Sequence, residues 1–258
     1  MMEYNRNTAR LVRSLKDKKE RDASGLFVVE GEKMVAEALR SGWSVEAVFA
    51  LPDAELPAEY EVPAMPVSAS EMEKMSLLTS PSPCLALVRK PGAPKDIRAL
   101  VREHPLALAL DGVRDPGNLG TILRLADWFG VDLIFASDAQ SRYPTSDIYN
   151  PKVVQATMGA IFRKKVIYTS LPETARLFAA EELPVFGTFL DGKSIYGEPL
   201  SKEGLIVMGN ESEGISPEMA AAVTHRLLIP PYPAGASACE SLNVATATAI
   251  TLSEFRRR

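Results

Sequence analysis

The sequence predicts an α/β protein whose C-terminal part is a parallel sheet covered by helices, and two observations carry this. Apolar runs recur as strands at LALALD (106–111), VDLIFA (131–136), KVIYT (165–169), LPVFGTF (183–189), LIVMG (205–209) and RLLIP (226–230). Helical patterns fall between them, near 119–129, 151–161, 172–181 and 216–223, with a last helix over about 242–256. Strands that alternate with helices imply crossover connections, hence parallel pairing with both faces covered. Ligands of such sheets bind at the carboxyl ends of the strands. The loops after residues 111, 189, 209 and 230 are therefore the candidate site.

The leading part is smaller and less regular. Residues 5–20 have a helical pattern, and LFVVEGEKMVAEALRSG reads as a strand followed by a helix that Gly42 ends. VEAVFAL is a second strand. A patch with Pro52, Pro57, Pro63 and Pro66 follows, then a capped helix in SASEMEKMS and a strand in CLALVRK. The stretch KPGAPKD has the composition of a linker, which places a domain boundary near residue 95 and predicts domains over 1–95 and 96–258.

Composition narrows the class without naming a function. The apolar content is ordinary for a globular protein, and no apolar run reaches the ~18 residues of a membrane span. The basic N-terminus lacks the apolar stretch of a signal peptide. Cys84 and Cys239 form no C-x-x-C pair, which fits a reducing, cytoplasmic home. The net charge of −4 argues mildly against a nucleic-acid partner. Its distribution softens that, because both ends are basic: Arg6, Arg10, Arg13, Lys16, Lys18, Lys19 and Arg21 at one, Arg256, Arg257 and Arg258 at the other. Either tail could contact phosphate, although basic tails are often only solvated.

Several motifs can be set aside. Gly187 to Ser194 matches the phosphate-cradling pattern G-x-x-x-x-G-K-[ST]. That pattern needs a loop between a strand and a helix, whereas Gly187 lies inside an apolar run and Ile-Tyr-Gly-Glu-Pro follows Ser194. No G-x-G-x-x-G occurs. His104 and His225 lack metal-ligand spacing and read as structural or exposed, so no metal is expected.

Three loops remain. After residue 111 the chain reads Asp111-Gly-Val-Arg-Asp-Pro-Gly-Asn118, where Gly117 and Asn118 suit a sharp turn and Asn118 could cap the next helix. In that helix Ile122, Leu125, Ala126 and Phe129 share an apolar face, and Arg124 falls on the other side as a permanent cation near the ligand edge. From spacing alone a solvated surface arginine is the more ordinary reading. After LIVMG, Gly209 and Gly214 bracket a polar turn, and Ser216-Pro217 opens a helix. After RLLIP, Ser241 is a natural cap for an Ala- and Thr-rich helix suited to close packing or a subunit interface.

In this order the loops resemble the SpoU (TrmH-like) family of RNA 2′-O-ribose methyltransferases. The matching residues are Asn118-x-Gly120-x-x-x-Arg124, then Val207-Met208-Gly209-Asn210-Glu211-x-x-Gly214-Ile215-Ser216, then Ile229-Pro230 with Glu240-Ser241-Leu242-Asn243-Val244-Ala245. Phe27-Val28-Val29-Glu30-Gly31 and Val35-x-Glu37-Ala38-Leu39 resemble the substrate-binding domain of rRNA-directed members.

The resemblance implies a small α/β RNA-binding domain before a catalytic domain with a deep trefoil knot, a homodimer, and S-adenosylmethionine as methyl donor. It implies that Gly209, Ile229 and Leu242 grip the donor, that Arg124 and Asn118 face the RNA, and that Glu211, Ser241 and Asn243 complete the site. The family assigns removal of the hydroxyl proton to the motif-one arginine. A guanidinium is effectively always protonated, so neutralising phosphate and orienting the ribose is the safer role for Arg124. Ribosomal RNA, the 23S species foremost, is expected over transfer RNA, because tRNA-directed relatives usually lack the leading domain. A tRNA enzyme, or a non-catalytic RNA-binding protein of the same fold, is the alternative. The sequence departs from the family pattern at Ser212, at Pro231, and in a lengthened loop 231–240.

Overall fold

The computed structural model describes residues 4–57, 62–233 and 241–257. The chain forms two compact units. One comprises residues up to Gly92 together with Asp147–Arg163, and the other Ala93–Ser146 with the chain from Lys164 onward.

The first unit holds helices α1 (Arg6–Ser14), α2 (Lys18–Ser24), α3 (Glu32–Arg40) and α4 (Ala69–Met75), and strands β1 (Leu26–Glu30), β2 (Val45–Ala50), β3 (Ala64–Pro66) and β4 (Cys84–Arg89). The sheet order is β1-β4-β2-β3, with β3 parallel to β2 and the other pairs antiparallel. Ser68 and Glu71 form a reciprocal capping box at the start of α4. Phe49, Met72, Met75, Leu85 and Leu87 fill the core on one side of the sheet.

The single helix expected over 5–20 is broken. Arg21, counted in the basic tail, is buried and donates to the carbonyls of Leu15 and Lys16 at the break, each at 2.7 Å, and to Asp147 at 2.7 Å. It is therefore withdrawn from any phosphate. A second correction concerns residues 151–161, expected as a crossover helix of the second part. They form α7 (Pro151–Thr157) and a 3-10 turn (Ala160–Phe162), and they belong to the first unit. There Phe27 packs on Tyr149 at 5.0 Å, Trp43 on Phe162 at 5.3 Å, and Gln155 donates to the Glu30 carbonyl at 2.8 Å. Cys84 is buried in β4, and burial, with the charges of Glu32 and Glu30, pushes its thiol up to about 12. Cys239 lies outside the described residues.

The second unit holds α5 (Ile97–Glu103), β5 (Leu106–Asp111), α6 (Pro116–Trp128), β6 (Leu133–Ser137), β7 (Lys165–Thr169), α8 (Leu171–Ala180), β8 (Val185–Ser194), β9 (Gly204–Gly209), α9 (Pro217–Ala220), β10 (His225–Leu228) and α10 (Val244–Arg257). Its six strands run in the order β10-β8-β9-β5-β6-β7, all parallel. The chain builds outward from β5 through β6 and β7, then crosses to β8 and inserts β9 between β8 and β5. That reversal is the switch point at which ligands of open α/β sheets bind. The strand expected to end at residue 189 continues to Ser194 and pairs with β10. A Cβ on Gly192 would lie 2.5 Å from the Leu227 carbonyl carbon, so this glycine serves strand pairing and cradles no phosphate. No described helix is long and apolar enough to cross a membrane.

Both helices that flank the switch point are held by their sequence. Leu119, Ile122, Leu123 and Ala126 bury one face of α6, while Leu125 and Phe129 are only half-buried. Each fully buried aliphatic side chain contributes roughly 1.5–3 kcal/mol. In α10 Thr248 and Thr251 are buried, their hydroxyls donating to the carbonyls one turn back at 2.7 and 2.8 Å, so small side chains pack closely without an unpaired hydroxyl. Arg256 fastens the far end of α10 to the end of α6, donating to the carbonyls of Phe129 and Gly130, each at 2.7 Å. Arg257 pairs with Glu254. These tail arginines, like Arg21, are committed within the fold, and Arg258 lies outside the described residues.

Candidate active site

The site lies at the carboxyl ends of β5, β8 and β9. Asp111 and Gly209 end β5 and β9 in register. The buried Asp111 carboxylate accepts from Ser216 N–H at 2.7 Å and so ties the start of α9 to β5. Between Gly209 and Ser216 the chain turns back on itself: Asn210 and Gly214 exchange two backbone hydrogen bonds at 2.9 Å. Asn210 locks this turn from inside. Its Oδ1 accepts from the N–H groups of Ser212 and Glu213, and its Nδ2 donates to the Gly112 carbonyl at 2.8 Å. A Cβ on Gly209 would meet the Gly214 carbonyl carbon at 2.4 Å, so only glycine allows the turn to fold onto β9.

Two expected caps are different residues in the structure. Asp115 caps α6, its carboxylate accepting from Asn118 N–H at 2.8 Å. The side chain of Asn118, expected as that cap, is thereby left for other partners. Asn243, and not Ser241, caps α10: its Oδ1 accepts from Ala245 and Thr246 N–H at 3.0 and 3.2 Å. Its remaining amide hydrogens point outward and Nδ2 donates to Asn118 Oδ1 at 2.9 Å. Asn118 Nδ2 in turn donates to Glu211 Oε1, and Ser241 Oγ reaches the Glu211 carbonyl at 3.4 Å. Asn118, Glu211, Ser241 and Asn243 are thus one connected cluster. Arg124 is not joined to it. It is exposed, lies about 9 Å of helix rise beyond Asn118, and has no hydrogen-bond or ion-pair partner among the described residues.

Beside the cluster is a cleft of about 950 Å³, within the usual range for small-molecule sites. Gly209, Ile229 and Leu242 all line it, as do Glu211 and Ser241. Thr188, Phe189 and Leu190 complete one wall, so part of the segment resembling a phosphate loop faces the cleft as strand. Glu240 and residues 234–239 of the lengthened loop lie outside the described residues. The lining suits a ligand with an apolar or aromatic body and polar ends: Leu190, Ile229 and Leu242 supply apolar surface, and the loop from Gly209 to Gly214 supplies polar groups.

Reading the loops by residue type misses Asn210, Asp111 and Asp115. The spacing Asn210-x-Ser212 is that of a side chain bonding backbone two residues on, and it was the available signal for Asn210. Asp111 carried no such mark, since its partner is distant in sequence. His104 contacts Lys165 at 2.8 Å, and His225 contacts Thr224 at 2.8 Å and the Phe186 ring, in structural settings.

Residues 105–253 match the SpoU rRNA methylase family, and residues 7–86 match the MRM3-like substrate binding domain. The chain is 31% identical to the Bacillus subtilis 23S rRNA (guanosine(2553)-2′-O)-methyltransferase RlmP, over 95% of this chain and 94% of that one. A solved structure from Porphyromonas gingivalis, described as of the TrmH family of RNA methyltransferases, superposes with a TM-score of 0.84 at 38% identity, covering 99% of both chains. An AdoMet-bound rRNA methyltransferase from Sinorhizobium meliloti gives 0.82 at 28% identity, covering all of this chain and 97% of that one. With the family match spanning the sheet, the cleft and the Asn118–Glu211–Asn243 cluster, the chain belongs to the SpoU rRNA methylase family.

Proposed function

We propose that this protein transfers a methyl group from S-adenosylmethionine to a ribose 2′-hydroxyl of ribosomal RNA, with 23S rRNA as the substrate. The observation that carries the reading is the oriented Asn243–Asn118–Glu211 chain beside a cleft lined by Gly209, Ile229 and Leu242. Its relatives named as 23S rRNA 2′-O-methyltransferases support the substrate class.

The cleft fits the donor. Gly209, Ile229 and Leu242 hold it, with the loop backbone taking its polar groups. When bound, S-adenosylmethionine supplies an electrophilic methyl group on its sulfonium. The chain's own residues position the acceptor. Glu211 keeps one carboxylate oxygen without a described protein partner, and that oxygen accepts from a ribose hydroxyl. Asn118 and Asn243 fix the carboxylate in place. Arg124, free of partners among the described residues, takes the adjoining phosphate and orients the ribose.

The first unit serves as the RNA substrate-binding domain, which its match to a substrate-binding family supports. The protein acts in the cytoplasm as a homodimer. Trp128, 85% exposed one turn beyond Arg124 on α6, is an apolar side chain that a second copy would cover. The C-terminal end of the second unit forms a trefoil knot, a reading that its membership in this family supports.

Incubation with methyl-labelled S-adenosylmethionine and total RNA tests the reading. Label is expected in large ribosomal RNA as 2′-O-methylribose. Label in transfer RNA alone would make it a tRNA enzyme. Donor and RNA binding without transfer would make it a non-catalytic member of the family.

A further inference from the structure

A second cationic group lies on the sheet edge that carries the candidate site. It is formed by the loop after β5 and the loop after β6. Arg114 Cζ lies 5.4 Å, and Arg142 Cζ 5.2 Å, from the centroid of the Tyr143 ring. Both arginines are exposed, and neither guanidinium has a carboxylate or hydrogen-bond partner among the described residues. Two like charges on one ring repel each other, and in a chain of net charge −4 each could have been paired. The elements beneath them are firmly held. Ser137 Oγ accepts from Gly112 N–H at 3.1 Å and donates to the Tyr143 carbonyl at 2.7 Å. Thr145 Oγ1 donates to the Leu110 carbonyl at 2.8 Å, and Ser146 N–H to the Val113 carbonyl at 2.9 Å.

The same turn joins this group to the site. Gly112 has φ +79°, and a Cβ there would lie 2.9 Å from Tyr143 Cβ and 3.5 Å from Asn210 Cβ. Tyr143 therefore abuts the residue whose carbonyl anchors the Glu211 loop. A planar guanidinium matches a phosphate bidentately, and an aromatic face holds guanidinium planes in place.

We propose that Arg114 and Arg142, positioned by Tyr143, form a phosphate-binding subsite for the RNA strand flanking the methylated nucleotide. This rests on the RNA reading above. Arg124 takes the phosphate at the reacting ribose, while this pair takes phosphates further along the strand and sets its direction across the sheet edge.

Filter binding of a 23S rRNA transcript by the full-length protein over a range of salt concentrations tests it. Arg114→Ala/Arg142→Ala should bind about ten-fold or more weakly at ~0.1 M salt, with a log–log salt slope shallower by roughly 0.7 per lost contact. Arg114→Lys/Arg142→Lys should keep the slope, because the charges remain. Tyr143→Phe should bind as the parent does, and Tyr143→Ala should lose part of the affinity. An alanine pair with the parental slope overturns the subsite. Transfer of methyl groups to the same transcript by the parent protein is scored separately, so a failed subsite and a failed methyl-transfer reading give different results.

Discussion

Asn243 donates to Asn118, and the helix that Asn243 begins sets the direction of that hydrogen bond. Its Oδ1 is held by two N–H groups of α10, so only Nδ2 is left to face Asn118. Asn118 must then accept through Oδ1, and its own Nδ2 is turned toward the Glu211 carboxylate. A chain of amides thus carries the order of a helix N-terminus to the acid at the cleft.

Asn243→Asp separates capping from orientation. The carboxylate still caps α10, so the melting temperature should stay near the parent's. It cannot donate, so Asn118 turns over and loses Glu211. Methyl transfer should fall roughly ten- to hundred-fold, as expected for a hydrogen bond to a charged group. Asn118→Ala should do at least as much, and the double variant no more than Asn118→Ala alone. Single-turnover rates measure all three.

Arg124→Ala should abolish methyl transfer while donor binding survives, because Arg124 is bonded neither to the cluster nor to the cleft lining. Calorimetric titration with the donor, beside a transfer assay, checks both halves. Near-normal turnover would remove Arg124 from the mechanism.

Gly209→Ala forces a methyl group into the backbone of Gly214 and Ile215. The turn must move away from β9, at a cost of about 1–3 kcal/mol. Donor affinity should drop with stability, read from titration and denaturant midpoints. An unaffected donor affinity would take Gly209 out of the donor site.

Glu30 makes the first unit sensitive to pH. It is buried, accepting from Ser76 Oγ at 2.6 Å and Leu77 N–H at 2.7 Å. Burial outweighs these bonds and holds its carboxyl above the ordinary value near 4.5. The folded state therefore binds the proton more tightly than the unfolded one. Its stabilising effect is complete below the unfolded value and is lost as pH rises through the folded one. The difference in urea midpoint between the parent and Glu30→Gln should shift in favour of the variant as pH rises from about 4 to 7.

In the second unit β5, β6 and β9 were legible because each buries a continuous apolar run, and α6 and α8 because their buried apolar residues recur at helical spacing. Strands 106–111 and 165–169 match their observed bounds. The extension of β8 was not legible, since only Lys193 and Ser194 rejoin β10 after a shift in register, and Asp191, Gly192 and Lys193 carry no apolar alternation. The place of α7 in the first unit rests on Phe27, Tyr149 and Phe162 meeting across more than a hundred residues, which no local pattern records. Asn118, Glu211 and Asn243 were legible through family resemblance. Their order was not, because it depends on which side chain caps which helix, and Asp115 and Asn243 took the capping roles expected of Asn118 and Ser241.

Methylation of a ribose in ribosomal RNA is tested most directly by mapping 2′-O-methyl groups, through their resistance to alkaline cleavage, in ribosomal RNA from cells with and without this protein. One 23S position should lose protection in its absence and regain it with the parent protein but not with Arg124→Ala. An unchanged ribose map, or a change confined to a base, would contradict the account.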